Sequence, residues 1–326
     1  VTPFLVLALA LLAGCSAAPV PSSSAGAPPA AAGGPWQSKL DAQSPLVGRL
    51  WDPQARAFVS EEALLERARA ADYVLLGEKH DNPDHHRLQA RVLQGLIGRK
   101  PAVVFEMIDL AQQEALDAHL RDHPGDAAGL GAALSWEKRG WPAWPLYQPV
   151  AEVALGAGLR LLGGNVSTAQ ARAVVKEGLE SLGAEQVARW GLNTPLPEAL
   201  RAALEEELRR SHCGHLPERI LPGMADAQRA RDAAMADRLL SAPGPAVLIA
   251  GAGHTRTDRG VPWYLRARRP GVRVVSVAFR EAQAGQQEPP APEEAPHDLL
   301  WFTPRLDDDD PCARMARPPP PRPPSP

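Results

Sequence analysis

A chain of 326 residues with 35 basic and 38 acidic side chains carries a formal charge of −3, and no basic stretch is long enough to track a phosphate backbone, which excludes nucleic acid as a partner. Three cysteines are too few for a disulfide scaffold, so a buried core has to hold the fold. The 35 prolines gather at the two ends and around residues 287–296, which leaves residues 46–304 to build that core.

Residues 4–13 are almost wholly apolar, too short a run to span a bilayer but suited to the core of a signal peptide. The run ends in Leu12-Ala13-Gly14-Cys15, which is similar to a bacterial lipobox. That similarity implies a signal peptide over 1–15 and lipidation of Cys15. Ser16 behind it points to the outer membrane, on its periplasmic side, with the lipid as the sole membrane attachment. Residues 16–45, rich in Pro and Ala, read as a tether. The Asp/Pro-rich residues 305–326 read as a disordered tail. A bridge between Cys213 and Cys312 is open in an oxidising compartment, though the placing of Cys312 in that tail argues against it.

A small hairpin (46–52 and 57–59) and a short helix lead into Val74-Leu75-Leu76-Gly77-Glu78. This apolar run without alternation reads as a strand buried on both faces. It releases Glu78 and His80 into a turn, and Asn82-Pro83 then caps and opens a helix toward Gly98. The same pattern returns three times: Ala102–Phe105 ends in Glu106, Leu159–Leu162 in Gly163-Gly164-Asn165, and Ala246–Ala250 in Gly251-Ala252-Gly253-His254. Two further strands are expected at 272–279 and 299–302. The fold class is therefore α/β, a mostly parallel central sheet flanked by helices, with a helical insertion at about residues 166–223 between the third and fourth strands. Ligands of such sheets bind outside the carboxyl ends of the strands. Glu78, His80, Glu106, Asn165 and His254 are thus expected to converge on one site.

His85 and His86 open the helix after Asn82. His85 shares a helical line with Leu88 and Val92, so it either packs beneath the strand ends or joins the site. Trp136, Trp141, Trp144 and Tyr147 are interleaved with prolines in an irregular loop, a candidate apolar wall for a flat ligand. His212-Cys213-Gly214-His215 has no partner motif at zinc-site spacing and reads as a loop closing the insertion. The helix over 225–240 carries Gln228, Arg231 and Met235 on one face.

Taken together, Gly77–His86, Phe105-Glu106-Met107, Gly164-Asn165, Gln228/Arg231-Asp232/Met235 and Gly251–His254 with Asp258–Pro262 resemble the ChaN family of haem-binding, iron-regulated lipoproteins. The resemblance covers about residues 46–279, and the family sits in a superfamily with Tiki/TraB proteases and erythromycin esterases. It implies haem at a homodimer interface, each iron ligated by tyrosine, and a role in iron uptake beside an outer-membrane haem receptor. Tyr73 opens a buried strand, which leaves Tyr147, preferred, or Tyr264 as the ligand, with His80, His85, Asn165 and His254 as further haem contacts. The alternative is a hydrolase, an esterase or peptidase, in which Glu78, His80, Glu106 and His254 activate water, with a divalent metal ion or with histidine as general base.

Overall fold

The computed structural model describes residues 34–309 and 312–313. The signal segment, Cys15, most of the tether and most of the tail lie outside the described residues. In chain order the elements are β1 (Leu50–Asp52), β2 (Ala57–Val59), α1 (Glu61–Ala70), β3 (Tyr73–Glu78), α2 (Pro83–Gln94), β4 (Ala102–Asp109), α3 (Gln113–Asp122), α4 (Leu130–Ala133), α5 (Gln148–Gly156) and β5 (Leu161–Asn165). After these come α6 (Thr168–Glu177), α7 (Ala184–Trp190), α8 (Glu198–Ser211) and α9 (Leu221–Ser241), then β6 (Ala246–Gly251), α10 (Val261–Arg268), β7 (Val274–Glu281) and β8 (Leu299–Thr303). Among the described residues no helix is long and apolar enough to cross a membrane.

The eight strands form one sheet in the order β2-β1-β8-β7-β3-β6-β4-β5. From β8 to β5 every pairing is parallel, and β1 runs antiparallel to both β2 and β8. The parallel strands are covered on both faces, which is why β3, β6 and β5 are buried at every position and show no alternation. On one face Leu88, Val92 and Leu93 of α2 and Val150 of α5 pack against Val74, Leu76 and Ile249. On the other, α9 lays Ala230, Ala233, Ala234 and Met235 against Leu75, Val104 and Leu248. The alanines let this helix lie close to the sheet, and Gly164 on β5 helps: a Cβ there would meet Val104 Cγ1 at 2.7 Å.

Strand β3 lies between β7 and β6, with Glu78 in register with Gly251, while α2 leads from β3 across β6 to β4. Chain connections therefore diverge at the β3–β6 boundary, and a crevice opens at such a switch point. The insertion, α6 to α8, packs on α9 through Leu204, Leu208, Leu221 and Ala225 and so overhangs the carboxyl ends of the strands. Arg259, in the loop after β6, pairs with Glu207 and holds α8 over that rim.

Three expectations about the ends and caps need correction. The helix after Asn82 stops at Gln94 rather than near Gly98, because Gly95 ends it and a 3-10 turn follows at Ile97–Arg99. Packed chain begins before residue 46 and continues past 304: Gln37 and Ser38 donate their N–H groups to Asp84 at 3.0 and 2.8 Å, and Leu40 bridges to Arg305. Most consequentially, Cys213 and Cys312 are joined by a disulfide. Cys312 thus lies against the end of α8, a placement that local composition does not encode.

That bridge closes a loop over a sequence separation of 99. Removing it by Cys213→Ser with Cys312→Ser is expected to lower the unfolding free energy by about 2–4 kcal/mol, chiefly by freeing the unfolded chain. The readout is the denaturant midpoint against the oxidised parent, and an unchanged midpoint would refute the link.

Candidate functional site

The residues at the carboxyl ends of β3, β4 and β6 form a buried acid–imidazole network. Glu106, 3% exposed, accepts a hydrogen bond from the Gly251 N–H through Oε2 at 2.7 Å and lies 3.2 Å from His254 Nε2 through Oε1. The other ring nitrogen of His254, Nδ1, is 2.7 Å from Asp232 Oδ1 on α9. With a carboxylate on each side, both ring nitrogens act as donors. Burial alone would lower the His254 pKa, but Glu106 and Asp232 outweigh it and hold it up at about 10. His254 is thus an imidazolium at neutral pH. Burial would raise the Glu106 carboxyl, yet His254 and His80 hold it well below the usual carboxylate range.

Glu78 stands two strands from Glu106, across β6, and also lies between two imidazoles. Its Oε1 is 2.9 Å from His80 Nδ1 and its Oε2 3.1 Å from His86 Nδ1. His86 Nε2 donates to the His80 carbonyl at 2.9 Å and its Nδ1 faces Gln89 Oε1 at 3.2 Å as well as Glu78, so both ring nitrogens act as donors. Desolvation opposes that charge, but Glu78 raises the pKa. The two histidines in turn hold Glu78 at about 2 against the effect of burial. Gly251 is needed here, since a Cβ on it would stand 2.9 Å from His80 Nε2.

Above this floor lies an open cleft of about 440 Å³, walled by α6, α8, α9 and Trp141. Trp141 meets the His80 ring edge-on at 5.0 Å. Apolar lining comes from Ala171, Val175, Leu208, Met224 and Ala227. Arg172 and Arg231 line it as well, and neither has an ion pair or hydrogen bond among the described residues. A neighbouring hollow of about 220 Å³ shares Trp141, Thr168 and Arg231 with the cleft and extends it into a groove.

Residues 64–265 match the family described as haem-binding uptake, Tiki superfamily, ChaN. The chain belongs to the ChaN family. Among solved structures it is similar to ChaN of Campylobacter jejuni, solved with cofacially bound haem: 22% identity, TM-score 0.62, covering 77% of this chain and 95% of that one. Weaker likenesses are to the erythromycin esterase EreC in its open conformation (16% identity, TM-score 0.42, 72% of this chain and 77% of that one) and the type III effector HopBA1 (14%, 0.43, 74% and 91%). No curated protein matches.

Within this ChaN-family protein, four of the expected site residues, Glu78, His80, Glu106 and His254, do come together at one rim. The others do not line the cleft. Asn165 ends β5 with 1% exposure, in register with Asp109. His85 turns the opposite way: its Nδ1 accepts from the Lys79 N–H at 2.9 Å and its Nε2 donates to Thr303 Oγ1 at 2.9 Å. Burial pushes its pKa down to about 3, so it is a neutral core residue. This is the packing alternative that its place beside Leu88 and Val92 allows.

Neither tyrosine reaches the cleft. Tyr147 is fully buried, packed between His86, Trp136 and Trp144, with its hydroxyl donating to the His80 carbonyl at 3.4 Å. Burial, and then the charges of Glu78 and Glu106, raise its pKa, which opposes a phenolate. Tyr264, 2% exposed, accepts from Arg229 Nε at 3.3 Å, and burial pushes it up to about 12. The aromatic loop thus divides: Trp136 and Trp144 are core, and Trp141 is the wall.

Sequence reasoning missed Asp232, Arg172 and His212. Asp232 stood beside Arg231 in the motif that carries the family resemblance, but nothing there pairs it with His254, which is remote in sequence. Arg172 sits in a helix whose pattern gives no hint of what it faces.

Proposed function

We propose that this protein binds haem as cargo in the cleft between the strand ends and the helical insertion. The observation that carries the reading is the pair of uncommitted guanidinium groups, Arg172 and Arg231, beside the apolar side chains of Trp141, Ala171, Val175, Leu208, Met224 and Ala227. Porphyrin has the matching chemistry, a flat apolar ring with two carboxylates, and arginine binds carboxylates in a bidentate fork. Trp141 offers a face or edge for the ring. The family description and the cofacial haem of the Campylobacter jejuni relative support the same ligand. By that relation, two copies would meet across the open side of the cleft. The protein would be held in the cell envelope by a lipid on Cys15 and pass haem on from an outer-membrane receptor.

Hydrolysis is the second reading, and His80 is the residue that favours it. Its side chain is 33% exposed at the cleft with Glu78 behind it, the arrangement of a general base and its orienting carboxylate. The rest of the network weighs against this role. Glu106 has both oxygens against N–H groups, Glu78 is held ionised between His80 and His86, and His254 is already protonated, so none of the three is a competent base for water. Among the described residues no three His, Cys, Asp or Glu side chains form a metal-holding group, so the divalent-ion version has no ligand set there. The network instead reads as a rigid, ion-paired floor.

Haemin titration of the purified protein, followed in the Soret region, is expected to saturate at one haem per chain. Arg172→Ala with Arg231→Ala should weaken binding by about tenfold or more, since each lost charge-assisted hydrogen bond is worth about 1.5–3 kcal/mol. No Soret change with stoichiometric haemin would reject the proposal. Esterase or peptidase turnover that vanishes in His80→Ala would put the second reading in its place.

A further inference from the structure

We propose that His212 supplies the axial nitrogen to the iron of haem held in this cleft, an assignment that rests on the haem reading above. Five side chains lining the cleft carry atoms able to ligate iron: His80, Glu106, His212, Met224 and His254. Two are already committed, and a third, His80, is hemmed in. His254 is clamped through both nitrogens between Asp232 and Glu106, and Glu106 has both oxygens occupied. His80 is bound to Glu78 through Nδ1, and its Nε2 edge lies down against the backbone of Gly251. The two tyrosines that could offer an oxygen are buried away from the cleft.

His212 shares an unbonded Nε2 with His80 but stands on the wall of the cleft rather than in its packed floor. It caps α8, and its Nδ1 stands 2.8 Å from the carbonyl of Leu208. A carbonyl can only accept, so Nδ1 carries the proton and Nε2 presents its lone pair. No hydrogen bond or ion pair among the described residues uses Nε2. A neutral imidazole whose far N–H is held by a backbone carbonyl is the arrangement of ligating histidines in general, because that bond fixes tautomer and ring orientation. Position is fixed as well: the next residue, Cys213, is tied by its disulfide to Cys312. The ring is therefore held in place before ligand arrives. Met224 is a softer donor, and imidazole is the better match to ferric iron.

The test is haemin titration of the full chain, its His212→Ala and His212→Gln variants, and Tyr147→Phe. Binding is read by Soret absorption, and the ligand field by electron paramagnetic resonance and resonance Raman spectra. The parent is expected to show a histidine-ligated rather than a tyrosinate-ligated ferric spectrum. Both His212 variants should lose that signature and bind at least roughly 10–100-fold more weakly, the loss that follows removal of a ligand's supporting hydrogen bond alone. Added imidazole should restore the spectrum of His212→Ala, and Tyr147→Phe should keep the parent spectrum. Either His212 variant binding with unchanged spectrum and affinity overturns this assignment while leaving haem binding intact. A parent that takes up no haemin overturns haem binding, and this assignment with it.

Discussion

Replacing His254 with alanine is expected to destabilise the fold by about 3–5 kcal/mol, more than any other single change in the site. The substitution removes the one cation between two buried carboxylates, Asp232 at 2.7 Å and Glu106 at 3.2 Å. Glu106 is 3% exposed and Asp232 6%, so solvent cannot replace the lost partner. At about 2–4 °C per kcal/mol for a domain of this size, the melting temperature should fall by roughly 6–20 °C. His254→Gln keeps one N–H donor and should lose less. Pairing His254→Ala with Asp232→Asn should recover part of the loss, because the second change removes one of the stranded charges. A shift of under about 1 kcal/mol in His254→Ala would mean that the ion triad is not formed in solution.

Stability should also depend on pH with two limbs, and the sign of each follows from which state holds its protons more tightly. His254 has its folded pKa raised from 6.5 to about 10. Its contribution is fully present below 6.5 and is lost as pH rises through about 10. Glu78, lowered from 4.5 to about 2, and Glu106, lowered further, contribute above 4.5 and lose that contribution as pH falls through their folded values. His85 and His297 are held neutral by burial, at about 3 and about 4. Below 6.5 the unfolded chain gains protons there that the folded chain refuses, which steepens the acid limb. Maximum stability is therefore expected near pH 6, with an alkaline decline on the order of a few kcal/mol by pH 10. Urea midpoints across pH 5–10 would show it, and His254→Gln should flatten the alkaline limb. An alkaline limb that survives in that variant would assign the decline to another group.

Much of the scaffold was legible because buried parallel strands need no alternation. Val74-Leu75-Leu76 and Val247-Leu248-Ile249 announce themselves as runs, and the Glu and His that end them stand out by contrast. The convergence of Glu78, His80, Glu106 and His254 followed from sheet topology, which a repeated strand–helix pattern implies. What could not be read was direction within irregular segments. The 3-10 turn at Trp144–Leu146 swings Tyr147 under the floor while Trp141 stays at the cleft, and composition treats the two alike. His85 was ambiguous for a related reason: one helical face serves both packing and binding until its neighbours on β7 and β8 are known. The disulfide was hidden because a segment of Asp and Pro has no pattern that says where it goes.

The strand order also sets a timetable for biosynthesis. β3 emerges early, but its two neighbours, β6 and β7, are translated more than half the chain later, and Cys312 later still. A nascent chain cannot close the sheet around Glu78, and the covalent clasp cannot form until synthesis is almost finished. The core of such a chain therefore closes late, after most of it has been synthesised rather than during synthesis.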